Sequence, residues 1–329
     1  MSATADGAAE TPHARRRVAV CVVTYNHIRY IADCLLSILS QDVDADVTVW
    51  VGDDGSTDGT TESVAAIARA WPGRVNHMVH ATRLGPIGNY RAIIEAAEGD
   101  FIAHLDGDDF WLPGKLREQL SLLDAEPACS ASCTNAFVFD DARQPVGIFT
   151  NAPSGTMDTA YLLRRGNFLN HSSLVYRVEH REAILSLVPP FIDYRMLLTL
   201  CRAGLIVYTS KALVGYRANA SGSMLANSSE AVRQQYFEAM EAALPAVTPK
   251  VRAEACADML RRVVFRAIRG RRMGFVAEWW PRLLASSGEG RLPLIVRTSG
   301  FVLMEGMRQV VQTTASMLLR SRLRVLYFR

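Results

Sequence analysis

Four short β-rich runs, separated by stretches of helical spacing, constrain this chain more than any other feature. Residues 17–24 (RVAVCVVT), 47–52 (VTVWVG), 75–81 (VNHMVHA) and 101–105 (FIAHL) read as buried strands. Between them, Ile31, Leu35, Leu36, Ile38 and Leu39, then Val64, Ile67 and Ala68, then residues 87–99 recur at helical intervals. Parallel strands need crossovers of this kind, so the alternation predicts a mostly parallel, doubly wound α/β sheet flanked by helices. Such sheets bind ligands beyond the carboxyl ends of their strands. Here those ends are polar: Thr24-Tyr25-Asn26 after the first run, Asp53-Asp54-Gly55-Ser56 after the second, and Asp106-Gly107-Asp108-Asp109 after the fourth. The topology therefore brings three polar clusters, two of them acidic, to one edge.

Adjacent carboxylates repel, and they persist where something offsets their charge. Two or three of them in a turn after a strand suit Mg2+ or Mn2+, which take hard oxygen ligands and keep positions open for phosphate. The expected occupant of the 106–109 cluster is thus a divalent ion carrying a diphosphate. A plain acidic surface turn would explain the composition, but not its position opposite a second acidic pair. Residues 53–59 (DDGSTDG) imitate the start of a calcium loop, with Asp54, Ser56, Asp58 and Gly59 at suitable offsets. Ala65 stands where that loop needs a bidentate Glu, and a strand precedes it, which excludes an EF-hand. The alternative is an Asp that accepts from a ligand N–H, with Ser56 or Thr57 capping the next helix. No GxGxxG follows a strand, no GxxxxGK[ST] occurs, and Phe110 occupies the position where a phosphatase nucleophile motif needs Thr or Val.

The 329 residues are 49% apolar and 21% charged, enough to build a core. The net charge of +3 is unevenly spread, with fifteen Arg against five acidic residues from Val251 to Arg329. An acidic front and a basic rear point to two different partners. Residues 1–16 lack the apolar centre of a signal peptide and read as a disordered tail. Cysteines 21, 34, 129, 133, 201 and 256 form no CxxC pair, as expected of reduced thiols in the cytoplasm. From residue 229 the pattern is nearly all helical, with breaks expected near Pro245, Gly270, Pro281 and Gly288–Gly290. The longest apolar stretch, from Leu292, is interrupted by Arg297, Glu305 and Arg308, so no transmembrane helix is expected. Leu303, Met307, Val310, Val311, Met317, Leu318 and Val325 nonetheless recur at helical spacing, with Thr314 between them. Arg308, Arg320, Arg322, Arg324 and Arg329 surround or follow this stripe, with Phe301, Tyr327 and Phe328 as aromatic anchors. Such a face suits an anionic membrane surface, and it equally suits the catalytic half or a homodimer through the C-terminal helices.

Residues 22–41 (VVTYNHIRYIADCLLSILSQ), 49–60 (VWVGDDGSTDGT), 88–119 (GNYRAIIEAAEGDFIAHLDGDDFWLPGKLREQ) and 191–217 (FIDYRMLLTLCRAGLIVYTSKALVGYR) resemble the successive motifs of glycosyltransferase family 2. The resemblance implies a GT-A fold: a catalytic domain over 17–225, its nucleotide-binding part at 17–125 and its acceptor-side part at 126–225. A basic helical region at 226–329 would follow. It implies inverting transfer of sugar from a nucleotide sugar, with a UDP-sugar as the foremost donor, to a glycan or lipid-linked acceptor, using Mg2+ or Mn2+. By the same resemblance Thr24, Tyr25, Asn26, Asp53, Asp54, Asp106 and Asp108 bind the nucleotide, and Arg83 or Arg91 meets the diphosphate. Asp108 or Asp109 holds the metal, His171 and Trp111 lie on the acceptor side, and Asp193 is the general base. A simple helix cap is the alternative for Asp193. Many members carry a His where this chain has Asn219. The (Q/R)xxRW signature of processive synthases is absent, which favours single transfers. A nucleotidyltransferase would open with a glycine-rich loop, and 22–30 has no Gly. A non-catalytic relative would have lost the acidic residues. Nucleic acid is excluded by the acidic half and by the lack of any recognised binding module.

Overall fold

The structure, a computed structural model, describes residues 15–218, 230–318 and 324–327. Its first part follows the expected alternation: β1 (Arg17–Thr24), α1 (Ile31–Leu39), β2 (Asp46–Asp53), α2 (Thr60–Ala70), β3 (Val75–Val79), α3 (Gly85–Ala96) and β4 (Phe101–Asp106). Then come β5 (Phe110–Trp111), α4 (Lys115–Ala125), β6 (Cys129–Phe139), β7 (Pro145–Thr150), β8 (Gly155–Met157), α5 (Thr159–Arg165), β9 (Val175–Arg177), α6 (Arg181–Leu185), α7 (Asp193–Ala203) and β10 (Leu205–Arg217). Four helices close the chain, α8 (Glu230–Ala243), α9 (Pro249–Arg269), α10 (Gly274–Ser287) and α11 (Arg291–Leu318), with β11 (Arg324–Tyr327) after them.

One sheet of eleven strands runs β11-β7-β6-β9-β4-β1-β2-β3, with β10 pairing β6, β5 and β8. The front four strands are all parallel. Antiparallel pairing enters with β9, which joins β4 to β6. In register, Thr24 lies beside Asp53 and Val23 beside Asp106. The three polar clusters therefore meet around the end of β1.

Side chains alternate across β1, and each set finds its own core. Val18, Val20 and Val22 pack with Ile31 and Leu35 of α1 and Leu116 and Leu120 of α4. Ala19 and Cys21 belong to the other core, which runs through Tyr90 and Ile93 of α3 and Leu197 and Leu200 of α7 to Leu260 and Trp279 of the C-terminal helices. Each fully buried Leu or Ile contributes about 1.5–3 kcal/mol. Leu35→Ala would also leave a cavity beneath the acidic edge, costing about 2–5 kcal/mol. All six cysteines are buried and free. No described helix is long and apolar enough to cross a membrane.

Residues 171–173 form a 3₁₀ turn ahead of β9. Two local expectations are corrected. The third strand stops at Val79 rather than at residue 81. Pro281 does not break its helix but sits inside α10. It has no N–H to offer the Ala277 carbonyl, yet Trp279 and Leu283 beside it are buried, and Trp279 packs edge-on to Phe237 of α8 at 5.6 Å. Packing there outweighs one missing hydrogen bond. Asn219 and the expected boundary at 225 lie outside the described residues, as do residues 1–14 of the expected tail.

Candidate active site

The nucleotide end is built from two interlocked turns. Asp53, the last residue of β2, is fully buried and accepts from the Ser56 N–H (2.9 Å) and the Thr61 hydroxyl, with His77 Nε2 3.8 Å away. Burial opposes its charge, but His77, Ser56 and Thr61 together hold its carboxyl well below the usual range. Asp54 accepts from the N–H groups of Leu84 (2.6 Å) and Gly85 (3.0 Å) at the start of α3. Arg83 Nε lies 3.7 Å from Asp54, and its guanidinium stacks 3.7 Å over the Tyr25 ring. Tyr25, Asp54 and Arg83 thus converge, whereas Arg91 donates to the Leu187 carbonyl at 2.8 Å. Asn26, at φ 55°, latches the two turns: its N–H donates to Ser56 Oγ (2.9 Å) and its side-chain oxygen accepts from the Thr57 N–H (2.8 Å). Ser56 and Thr57 are therefore bound to the neighbouring turn and do not cap α2. That helix begins after Gly59, at φ 99°, without a side-chain cap.

The acidic turn is held differently. Gly107 is required there, since a Cβ would lie 2.9 Å from Thr24 Oγ1 and His27 Nδ1. Asp106 faces His104 Nε2 at 3.0 Å and Ser172 Oγ at 3.2 Å. Asp109 is buried, accepting from the Ser172 hydroxyl (2.6 Å) and the Arg217 N–H (2.9 Å). Ser172 has one hydroxyl proton, so it cannot donate to both carboxylates at once. Burial works against charge on Asp106, but His104, then His171 and Ser172, hold its carboxyl below the usual range. Burial, then the charge on Asp106, raises Asp108. Burial, then Asp108 and Asp106, pushes Asp109 well up. The Arg217 guanidinium beside the turn is drawn to Asp33 at 3.3 Å and lies over the Tyr30 and Phe110 rings. Three carboxylates with this little compensation fit a divalent cation; Asp106 and Asp108 are both partly exposed, and Asp109 is buried.

Asp193 is the first residue of α7. The N-cap is Ile192, without a side-chain hydrogen bond, so Asp193 does not fill the ordinary capping role. One of its oxygens accepts from Asn167 Nδ2 (2.9 Å) and the Tyr194 N–H (2.8 Å). Burial raises its carboxyl above the usual range against the pull of these two donors, and the charges of Asp106 and His104 also reach it. His171 stacks on His104 with ring centroids 3.9 Å apart, and Tyr90 meets His104 edge-on at 4.8 Å. Burial, then His104, pushes His171 down to about 3, so it is neutral at pH 7.

Residues 19–182, about half the chain, match the family model of Glycosyl transferase family 2. The chain belongs to glycosyltransferase family 2. An uncharacterized protein of Mycobacterium tuberculosis is 27% identical over 209 residues, 62% of this chain and 60% of its own length. A Bacillus subtilis protein, TuaG, named as a glycosyltransferase of teichuronic acid biosynthesis, is 30% identical over 148 residues, 44% of this chain and 56% of its own. This family 2 chain thus spans under two thirds of these curated relatives. The crystal structure of S. aureus TarS 1–349 in complex with UDP-GlcNAc shares its fold, with a TM-score of 0.59 at 18% identity over 82% of this chain and 79% of that one. The GT-A architecture, a sheet flanked by helices, is therefore established.

Within that frame, one expected role is corrected. Trp111 is 2% exposed, its indole N–H donates to the Ser172 carbonyl at 2.9 Å, and Lys115 Nζ lies 3.8 Å over its ring. It braces the 171–173 turn and offers no face to an acceptor. Sequence reasoning missed His104, Ser172 and Asn167. His104 had one legible signal: two residues before Asp106 on a strand, it shares that residue's face. Ser172 and Asn167 reach the site through irregular backbone, which has no period to read.

Proposed function

We propose that this chain transfers a single sugar, with inversion, from a nucleotide sugar to a hydroxyl of a glycan or lipid-linked acceptor. One observation carries the reading: the Tyr25–Asp54–Arg83 cluster, the under-compensated turn 106–109 and Asp193 converge at one sheet edge. Thr24, Tyr25, Asn26, Asp53 and Asp54 form the nucleotide end, where Tyr25 offers a face to the base and Arg83 a charge to the phosphates. TarS, at the same fold, was crystallised with UDP-GlcNAc, which supports a UDP-sugar as donor. Mg2+ or Mn2+ held by Asp108, with Asp109 beside it, supplies positive charge against the diphosphate. Asp106 contributes on the donor side and His171 on the acceptor side. Asp193 takes the proton of the acceptor hydroxyl as its oxygen attacks the anomeric carbon and the bond to the diphosphate breaks. Burial raises its carboxyl above the usual range, which makes it a stronger base than a free carboxylate. The name of TuaG supports a place in bacterial polysaccharide assembly. A screen of nucleotide sugars for acceptor-dependent release of nucleoside diphosphate tests the reading. One donor should stand out, with an inverted anomeric centre in the product; a retained centre, or no release from any donor, would refute it.

The same reading gives the chain a peripheral position at the cytoplasmic face of an anionic membrane, through α11. Leu292, Val296, Leu303, Met307 and Val310 are each more than 60% exposed along one face, while Leu294 and Thr298 on the opposite face are buried. Arg269, Arg271, Arg272 and Arg291 are exposed nearby. Phe301 packs against the core and is not an anchor. The side chains of Arg308, Val311, Thr314, Met317, Leu318, Arg320, Arg322, Arg324, Tyr327, Phe328 and Arg329 lie outside those described. Liposome flotation should need anionic lipid and weaken with salt. No flotation at low salt, with a stable dimer instead, would assign the stripe to a second copy.

A further inference from the structure

We propose that His104, Asp106 and His171 form a binding site for a divalent transition metal, set behind the acidic turn and separate from the position that Asp108 offers. His104 and Asp106 stand two apart on β4 and so project from one face. His171 is carried to them by the 171–173 turn, which is pinned from three sides. Leu174 N–H donates to the His171 carbonyl (2.9 Å), Ser173 Oγ to the Asn170 carbonyl (2.7 Å), and Trp111 Nε1 to the Ser172 carbonyl (2.9 Å). One ligand atom from each of the three residues lies within 4.8 Å of the others. Two donors bound at about 2.1 Å to one ion can be roughly 4 Å apart, so a small ring rotation closes the set.

A second observation points the same way. His104 turns its Nε2 to Asp106, and beside it the buried Nε2 of His171 has no hydrogen-bond partner among the described residues. A buried polar atom without a partner is uncommon, and this one belongs to the ring stacked on His104. Two imidazoles and one carboxylate favour Mn2+, Co2+ or Zn2+ and discriminate against Mg2+, which prefers oxygen. Asp108 and Asp109, offering oxygen alone, lack that preference. The site needs no nucleotide, and it shares Asp106 and His171 with the transfer reading.

The test uses the full chain, stripped of metal and titrated calorimetrically with Co2+ alone, without nucleotide, and then with Co2+ in excess Mg2+. A Mn2+-loaded sample is read by pulsed electron paramagnetic resonance for imidazole nitrogen couplings. In excess Mg2+, which occupies the position that Asp108 offers, one Co2+ should bind per chain, and Mn2+ should show nitrogen coupling. His171→Gln and His104→Gln should each weaken Co2+ by at least about tenfold, the lower end of what even an outer-shell partner contributes. Asp108→Asn should leave Co2+ affinity unchanged. Absence of nitrogen coupling in the unmutated chain overturns the proposal even if neither His variant folds. So does Co2+ affinity lost with Asp108→Asn and kept in both His variants. Nucleoside diphosphate release in Mg2+ tests the transfer reading separately, whatever the outcome here.

Discussion

Asp53-Asp54 and Asp106–Asp109 flank β1 at the same edge of the sheet, and they handle the same electrostatic problem in opposite ways. The first pair is surrounded by donors that the fold itself supplies: Ser56, Thr61, His77, and the N–H groups that open α3. Asp53 is therefore content as an anion, with its carboxyl held low. Among the described residues, the second cluster has the Ser172 hydroxyl, the N–H groups of Arg217 and Asp108, and the His104 imidazole to share among three carboxylates. Two of its members are held high. Adjacent acidic residues alone do not mark a cation site; what marks one is the shortage of internal donors. The first turn is a structural latch that also presents Tyr25, and the second waits for charge from outside.

The largest expected effect tests that shortage. Asp108→Ala should lower transfer by at least about a thousandfold, as expected when several kcal/mol of charge stabilisation are lost. EDTA should do the same to the unmutated chain. The fold should survive, since the change relieves repulsion and removes no core volume. A pH dependence follows from the sign of the shifts. Asp108 and Asp109 have folded pKa values above their unfolded ones, so their contribution to stability is present below the unfolded value and lost as pH rises through the folded ones. Added Mn2+ should therefore raise the melting temperature more at pH 8 than at pH 5. Turnover that persists in both EDTA and the Ala variant would erase the contrast between the two turns.

Next in size is Asp193, which shares the field of the acidic turn but not its geometry. Asp193→Asn keeps the shape and the hydrogen bond from Asn167, and it cannot take a proton. Steady-state kinetics should show kcat lower by about a hundredfold, with donor affinity little changed. In the unmutated enzyme, activity should rise with pH through the raised Asp193 pKa. Near-normal turnover by the Asn variant would reduce the residue to a brace for the 167–194 contact.

Asp53→Asn probes the other turn, and the readout is stability. Loss of hydrogen bonds to a buried anion should cost about 1.5–3 kcal/mol at pH 7 in urea unfolding. Because the folded pKa is depressed, this contribution is present above the unfolded pKa near 4 and lost as pH falls through the folded value. The difference between variant and parent should therefore shrink at pH 3, the reverse of the trend at the acidic turn.

The sequence carried the architecture well where one period governed it. Strands alternating with helices predicted the parallel front of the sheet, and the polar residues after three strands predicted the edge where they meet. What it could not carry was the partner list of each carboxylate. Asp54 and Asp109 look alike as letters, yet Asp54 meets the start of α3 and Asp109 meets the end of β10, 108 residues away. Trp111 follows an acidic turn and reads as a substrate platform. Only the packing of α4 and the 171–173 turn around it shows that both of its faces are taken. Pro281 was misread for a related reason: propensity is local, and the burial of Trp279 that overrides it is not.

The smallest expected effect separates charge balance from packing beside the acidic turn. Lys115 is wholly buried against Trp111, its Nζ has no hydrogen-bond partner among the described residues, and burial holds its pKa well below the ordinary value. If Lys115 were the internal counter-charge for Asp106–Asp109, removing it would deepen the shortage and sharpen the metal requirement. Its surroundings argue otherwise. Among the described groups, Cys133 is the one that acts on it by charge, and burial pushes that thiol to about 12, so it is neutral at pH 7. Burial thus disfavours the charged ammonium over the indole, in a place where a thioether of similar length would pack as well. Lys115→Met should change stability by less than about 1.5 kcal/mol, in either direction, as volume-conserving core exchanges do. It should leave the metal concentration needed for half-maximal transfer unchanged. A several-fold rise in that concentration would mean that Lys115 is charged in the folded chain, and that the acidic turn is less dependent on an outside cation than the comparison with Asp53 and Asp54 implies.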